Sequence, residues 1–176
     1  MKGTGKIRLF ETVLFALLGA FMFASKLALE FLPNVHMIGM LTVLYTLLFR
    51  AKALFPVYVF VFLEGIYAGF NIWWVPYLYI WTILWGAAML IPENLKPLPR
   101  TALLVAVCSL HGFLYGTLYA PFQALAFGLD FKGMIAWIIA GLPYDAIHGV
   151  GNLAMGLLIY PLYKPMKKAI DKFYCR

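Results

Sequence analysis

Six apolar stretches fill almost the whole of this chain and leave no room for a water-soluble domain. Of its 176 residues, 64% are hydrophobic and only 12% are charged. The mean hydropathy is +0.88. A soluble domain carries about 25% charged residues. A chain this apolar belongs in lipid, where helices and closed barrels are the only spanning structures, because every backbone polar group needs an internal partner. The runs are continuous rather than alternating, which predicts helices and not barrel strands. The expected fold class is therefore all-α: a polytopic membrane protein, one domain over 1–176, built as a compact bundle of about six transmembrane helices.

About 20 apolar residues cross a bilayer core. The runs place spans at 10–31, 36–49, 54–70, 75–91, 101–120 and 142–163. The second is short, and is either a full span or a segment sharing the loop of the first. The stretch 134–139, between Pro121 and Pro143, is too short to span and is expected near one surface in a long loop. Pro33-Asn34, Arg50-Ala51-Lys52, Pro92-Glu93-Asn94 and Lys96-Pro97-Leu98-Pro99-Arg100 punctuate the chain, as turn signals do.

Basic residues set the orientation of a membrane bundle. Lys2, Lys6 and Arg8 precede the first span. Arg50 and Lys52 follow the second, Lys96 and Arg100 the fourth, and Lys164, Lys167, Lys168, Lys172 and Arg176 the sixth. These are twelve of the 14 Lys and Arg residues. Lys26 and Lys132 fall on the opposite side. Both termini are thus expected in the cytoplasm, with the chain in the cell membrane. The formal charge of +7 is a topology signal and requires no nucleic acid; a contact of the basic tail with anionic lipid is compatible with it. Met22 and Phe23 stand before Ala24, where a signal-peptide cleavage site wants small residues, so the first helix is expected to be retained. Cys108, inside a span, and Cys175, in the tail, are not placed to pair.

Ionisable side chains inside a membrane cost roughly 2.5–3.5 kcal/mol each on insertion scales and are functional candidates for that reason. Here they are Lys26, Glu30, Glu64, His111, Asp145 and His148. Lys26 and Glu30 are four apart and suit an ion pair near the outer interface. Glu64 lies deeper and needs a partner or a proton. Asp145, His148 and Asn152 are spaced three and four apart, so they share one helix face. With Pro143 read as a first-turn proline, Asp145 would lie at the start of the last helix. It could complement that helix's dipole, or belong with the other two to a ligand site or a hydrogen-bond network. Tyr77, Trp81 and Trp85 form one aromatic stripe, and His111, Tyr115 and Tyr119 another. Trp73 and Trp74 suit an interfacial belt, but Trp81, Trp85 and Tyr115 lie too deep for it. Aromatic walls with a few polar groups suit a flat heterocyclic ligand.

Ala16, Ala20 and Ala24 form a small-residue stripe on the first helix, with Gly19 beside it. Such stripes permit close helix approach, either within the bundle or against a partner. The chain has no phosphate-binding GxxxxGK[ST] loop and no HExxH pair, which argues against ATP hydrolysis by that route and against a zincin site. His36, His111 and His148 with Asp145 and Glu64 are weak metal candidates, because no two of the histidines share a helix at ligand spacing. No cofactor is expected.

The chain resembles the substrate-binding S components of energy-coupling factor (ECF) vitamin transporters. The likeness rests on about six helices, cytoplasmic termini, a basic tail, the Ala16-xxx-Ala20-xxx-Ala24 run on the first helix, and the segment Gly-Leu-Pro-Tyr-Asp-Ala-Ile-His-Gly-Val-Gly-Asn at 141–152. It implies a substrate-capture subunit rather than an enzyme. The resemblance puts the ligand on the outer side and a transmembrane coupling subunit with two ATPases against the alanine stripe. Together with the residues above, it makes Glu64, Tyr77, Trp81, His111, Tyr115, Asp145, His148 and Asn152 the candidate substrate contacts. The aromatic walls favour a vitamin-like heterocycle over a bare ion. The rival expectations are an intramembrane enzyme using His111, His148, Glu64 and Asp145, and an assembly subunit without a ligand.

The charge distribution makes a first prediction. In a variant with Cys108→Ser, Cys175 should react with a membrane-impermeant thiol reagent only in inverted vesicles or broken cells. Labelling in intact cells would overturn the helix count or the orientation.

Overall fold

The computed structural model describes residues 9–174, most of them helical, with no strand among them. Lys2, Lys6, Arg8, Cys175 and Arg176 lie outside the described residues. The helices are α1 (Leu9–Ala28), α2 (Ile38–Phe49), α3 (Leu54–Ala68), α4 (Tyr77–Met89), α5 (Pro97–Phe113), α6 (Tyr115–Phe127), α7 (Phe131–Gly156) and α8 (Ile159–Tyr174). Short 3-10 turns precede α3 and α4. Five helical runs are long and apolar enough to cross a membrane: Leu9–Ala28, Ile38–Ala68, Ile72–Met89, Pro97–Phe127 and Phe131–Gly156. Large apolar side chains such as Leu17, Phe21, Phe62, Ile66 and Val150 point out of the bundle, as lipid-facing residues do.

The run Ile38–Ala68 is not one rod. Arg50 sits at φ +54°, a left-handed conformation that breaks a helix. The Trp85 indole N–H donates to the Arg50 carbonyl at 3.1 Å, and the Arg50 guanidinium donates to the Met89 carbonyl at 3.3 Å. His36 lies beside Trp81, so α2 runs along α4 in the same direction. The Tyr58 hydroxyl donates to the Leu78 carbonyl at 2.8 Å, and the Trp74 indole donates to the Val61 carbonyl at 2.8 Å, so α3 runs against α4. The chain therefore reverses at Arg50. At 12 residues, α2 is about 18 Å long, well short of a bilayer core of about 30 Å. Ten of its residues are buried. It is apolar all round, as a helix must be when others enclose it.

α1 runs parallel to α3 and is fastened to it along its length. Glu11, buried near the start, takes the Lys52 ammonium at 2.6 Å. Phe15 stacks on Phe55 with centroids 5.8 Å apart. Gly19 lies so close that a Cβ there would stand 2.5 Å from Val59 Cβ and 2.7 Å from the Pro56 carbonyl oxygen. Near the other end Lys26 pairs with buried Glu64. This corrects the expected Lys26–Glu30 pair: Glu30 is exposed, whereas Glu64 is fully buried, and an unpaired buried carboxylate is far costlier than an exposed one. The inward stripe of α1 is Glu11, Phe15, Gly19, Met22 and Ser25. Ala16, Ala20 and Ala24 are exposed on the outside of the bundle, so they are not internal packing.

Four sequence expectations fail in the second half. The stretch 134–139 belongs to α7, which continues through Pro143, so neither the surface loop nor a helix start at 141–145 exists. The start is Asp130, whose side chain accepts from the Gly133 N–H at 2.7 Å, an N-cap that satisfies a first-turn donor. Pro143 removes one backbone bond on an exposed side of α7. The span expected at 101–120 is divided at Leu114 into α5 and α6. The Gly116 N–H there is turned onto Asp145 Oδ1 at 2.9 Å, and a side chain inserted into the helix ladder is a recognised cause of a kink. The last expected span, 142–163, is likewise cut at Gly156, and α8 carries the chain on to Tyr174.

α5 and α7 are antiparallel and nearly touch. A Cβ on Gly112 would stand 2.8 Å from Gly149 Cα. Ser109 donates to the Gly149 carbonyl at 2.9 Å, and Asn152 to the Cys108 carbonyl at 3.1 Å. The two faces of α1 differ in a way that mutation reads directly. Gly19→Val should lower stability in detergent by about 1–3 kcal/mol, the usual cost of overpacking. Ala20→Trp, on the open side, should leave thermal unfolding unchanged. Equal damage from both would contradict the outward alanine face.

Candidate functional site

The two aromatic stripes and the polar stripe of α7 meet in one cluster. Trp81 is its centre and is 1% exposed. Its ring lies 5.9 Å from Tyr77, 5.6 Å from His111, 5.9 Å from Tyr115 and 6.1 Å from Phe60, centroid to centroid. His148 stands between two rings, 4.6 Å from Tyr115 and 4.6 Å from His36. His36 closes the circuit at 5.9 Å from Trp81. α4, α5, α6, α7 and the segment before α2 each supply a wall.

Three of the polar members, His111, Asp145 and Asn152, each have one bond and one open atom. His111 Nε2 lies 3.0 Å from the Ile80 carbonyl oxygen. A carbonyl only accepts, so Nε2 carries the proton and the neutral ring presents Nδ1 as an acceptor. That Nδ1 is buried without a partner. Asp145 uses Oδ1 on Gly116 and leaves Oδ2 unmatched. Asn152 donates to Cys108 and leaves Oδ1 unmatched. His36 Nδ1, His148 Nε2 and Trp81 Nε1 are also buried without partners. Orphaned polar groups cost about 1–3 kcal/mol each, and here they are gathered around one set of rings.

Most of the expected contacts converge. Tyr77, Trp81, His111, Tyr115 and His148 are ring neighbours. Asp145 joins at the α5–α6 break. It does complement a helix N-terminus, but that of α6 rather than of its own helix, since it lies in the middle of α7. Asn152 lies one turn below His148. Glu64 is held by Lys26 and lies close enough to Tyr77 for its charge to act on that ring, with Oε1 unmatched. Trp85 lies at the opposite end, on the Arg50 turn. Tyr119 reaches outward, donating to the Trp73 carbonyl at 2.8 Å and stacking on Trp137 at 5.9 Å. The sequence pattern missed Trp137, whose segment was expected in a loop. It offered His36 only as a metal candidate, because a lone histidine before a helix has no periodic company. Among the described residues no group of three or more His, Cys, Asp or Glu side chains is placed to hold a metal ion.

His36 lies outside the membrane-crossing runs. Burial, reinforced by the positive charge of Lys26 on α1 and by His111 on α5, lowers its pKa from 6.5 to about 4. It is neutral at physiological pH and serves the cluster as a hydrogen-bonding ring. No family model matches this chain, and no curated protein or solved structure matches it either.

The depressed pKa of His36 has a signed consequence. The unfolded chain binds the His36 proton near 6.5 and the folded chain only near 4, so this contribution to stability is intact above 6.5 and is lost as pH falls towards 4. Thermal melts across that window should steepen for the native protein and be flatter for His36→Gln. An identical slope in both would remove His36 from the buried cluster.

Proposed function

We propose that the protein is the substrate-capture subunit of an ECF-type importer, taking up a vitamin-like planar heterocycle. In this reading the chain crosses the plasma membrane six times, the reversal at Arg50 making α2 and α3 separate passes. Both termini and the basic end are cytoplasmic. The observation that carries it is the Trp81-centred cluster: aromatic faces for stacking, with unmatched polar atoms on His36, Trp81, His111, Asp145, His148 and Asn152 set among them. A ring with several N–H and acceptor positions would satisfy what the protein leaves unpaired, and a site of that kind rejects analogues lacking those groups. The cluster lies towards the end opposite the basic residues, where an external substrate arrives. The exposed Ala16-Ala20-Ala24 face is the surface offered to a coupling subunit that carries two ATPases.

Mass spectrometry of small molecules retained by the purified protein identifies the substrate. Rebinding it should quench tryptophan fluorescence. Trp81→Ala should weaken binding by about 1–3 kcal/mol through loss of a stacked, area-burying contact, and His148→Ala or Asp145→Asn by as much or more. For His148→Ala and Asp145→Asn affinity should fall while the empty protein keeps its melting temperature; Trp81→Ala, at a fully buried position, should lower the melting temperature as well. Variants that unfold the empty protein and spare affinity would make the cluster a scaffold, and turnover of the retained molecule would make the protein an enzyme. Ala20→Trp should bind substrate normally and fail to co-purify with the coupling subunit.

A further inference from the structure

At the basic end, α8 packs against α2 and α5. Its apolar side chains Leu162, Tyr163, Met166 and Ile170 pack on the core, while Lys164, Lys168 and Lys172 are exposed. This is the division of faces found in helices that lie at a membrane surface. Between the start of α8 and the α4–α5 turn is a cavity of about 300 Å³. Its floor is apolar, formed by Leu47, Leu95, Leu104, Ile159 and Tyr163. Arg100 and Lys164 supply its cations. Glu93 also lines it, but its carboxylate is engaged by Arg50 Nε at 2.9 Å, so the charge facing the cavity is positive. Arg100 Nε is buried without a partner. Lys164 Nζ stands 4.9 Å over the Tyr160 ring, which holds the ammonium at the cavity's edge.

We propose that this crevice is a binding site for a single anionic phospholipid. The guanidinium and ammonium hold the phosphate, guanidinium being suited to paired hydrogen bonds with phosphate oxygens. The apolar floor takes the glycerol and the first acyl carbons, which a free phosphate lacks. The volume is at the small end for ligand sites; it admits the headgroup region, and the tails continue along the lipid-facing surface. The cluster of basic residues around it matches the leaflet in which anionic lipids attract Lys and Arg. The proposal is independent of the substrate reading, because no residue of the Trp81 cluster lines the crevice.

The test is native mass spectrometry of the full-length protein in zwitterionic detergent. It is titrated with phosphatidylglycerol and phosphatidylcholine of identical acyl chains. Phosphatidylglycerol should be retained in preference. Arg100→Gln should weaken its retention about fivefold, the change that about 1 kcal/mol per basic residue implies. Lys164→Glu should weaken it by more than that. Lys164 is exposed, so Lys164→Glu decides the matter even if Arg100→Gln fails to fold. Lys168→Gln, outside the crevice, should have no effect. Equal retention of the two lipids, unchanged binding by Lys164→Glu, or an equal loss in Lys168→Gln would overturn the site. Displacement of the lipid by millimolar inorganic phosphate would reassign it to a bare anion.

Discussion

The close contact of α5 with α7 is the interaction on which the rest of the molecule depends. Between helices in lipid there is no hydrophobic force to exploit, so association rests on close packing and interhelical hydrogen bonds. Both are concentrated here. Gly112 and Gly149 bring the backbones together, and Ser109, Asn152 and Asp145 each bond across the seam to a backbone group of the other segment. The seam uses one polar atom each of Asp145 and Asn152 and leaves the other buried without a partner. It also explains the break at Leu114: the Asp145 carboxylate takes an N–H that a straight helix would keep for itself. Scaffold and candidate site thus share two side chains, Asp145 and Asn152.

The other half of the bundle is held by different means. α1 lies against α3 through stacked phenylalanines, a glycine contact and an ion pair towards each end. Removing one partner of a buried pair strands the other, which makes such pairs strong determinants of register even where their net contribution to stability is small. They fix the rotation of α1, and that rotation turns the alanines outward. α2, short and buried on nearly every side, is the post around which α4, α5, α7 and α8 are arranged.

Polar groups are distributed with the same economy. One end of the bundle holds the imidazole, carboxylate and amide groups among aromatic rings, all drawn from helices that face one another. The opposite end carries Arg50, Arg100 and the lysines of α8. A membrane protein with an aromatic cluster at one end and a cationic collar at the other is set up to meet different chemistry on its two sides. The two sites proposed above divide along that line.

Composition and run length by themselves determined that this is a helical bundle with outward apolar side chains, because no other arrangement satisfies so many backbone groups without water. Helical spacing likewise determined that Asp145, His148 and Asn152 share a face, and that Tyr77 and Trp81 share another. Spacing within one helix cannot say what lies opposite. That Glu64 answers Lys26 rather than leaving it to Glu30, that Asp145 meets Gly116, and that His36 and Trp137 join the aromatic groups were decided only when the helices packed. Proline misled for a related reason. Pro143 resembles a helix start in the sequence, yet α7 runs through it, because a missing N–H on the helix's open side breaks no contact with a neighbour, while Asp130 supplies the cap one long stretch earlier. The alanine stripe shows the same division: its spacing announced a smooth helix face, and only the ion pairs and glycine contact on the other side of α1 decided that this face looks out of the bundle.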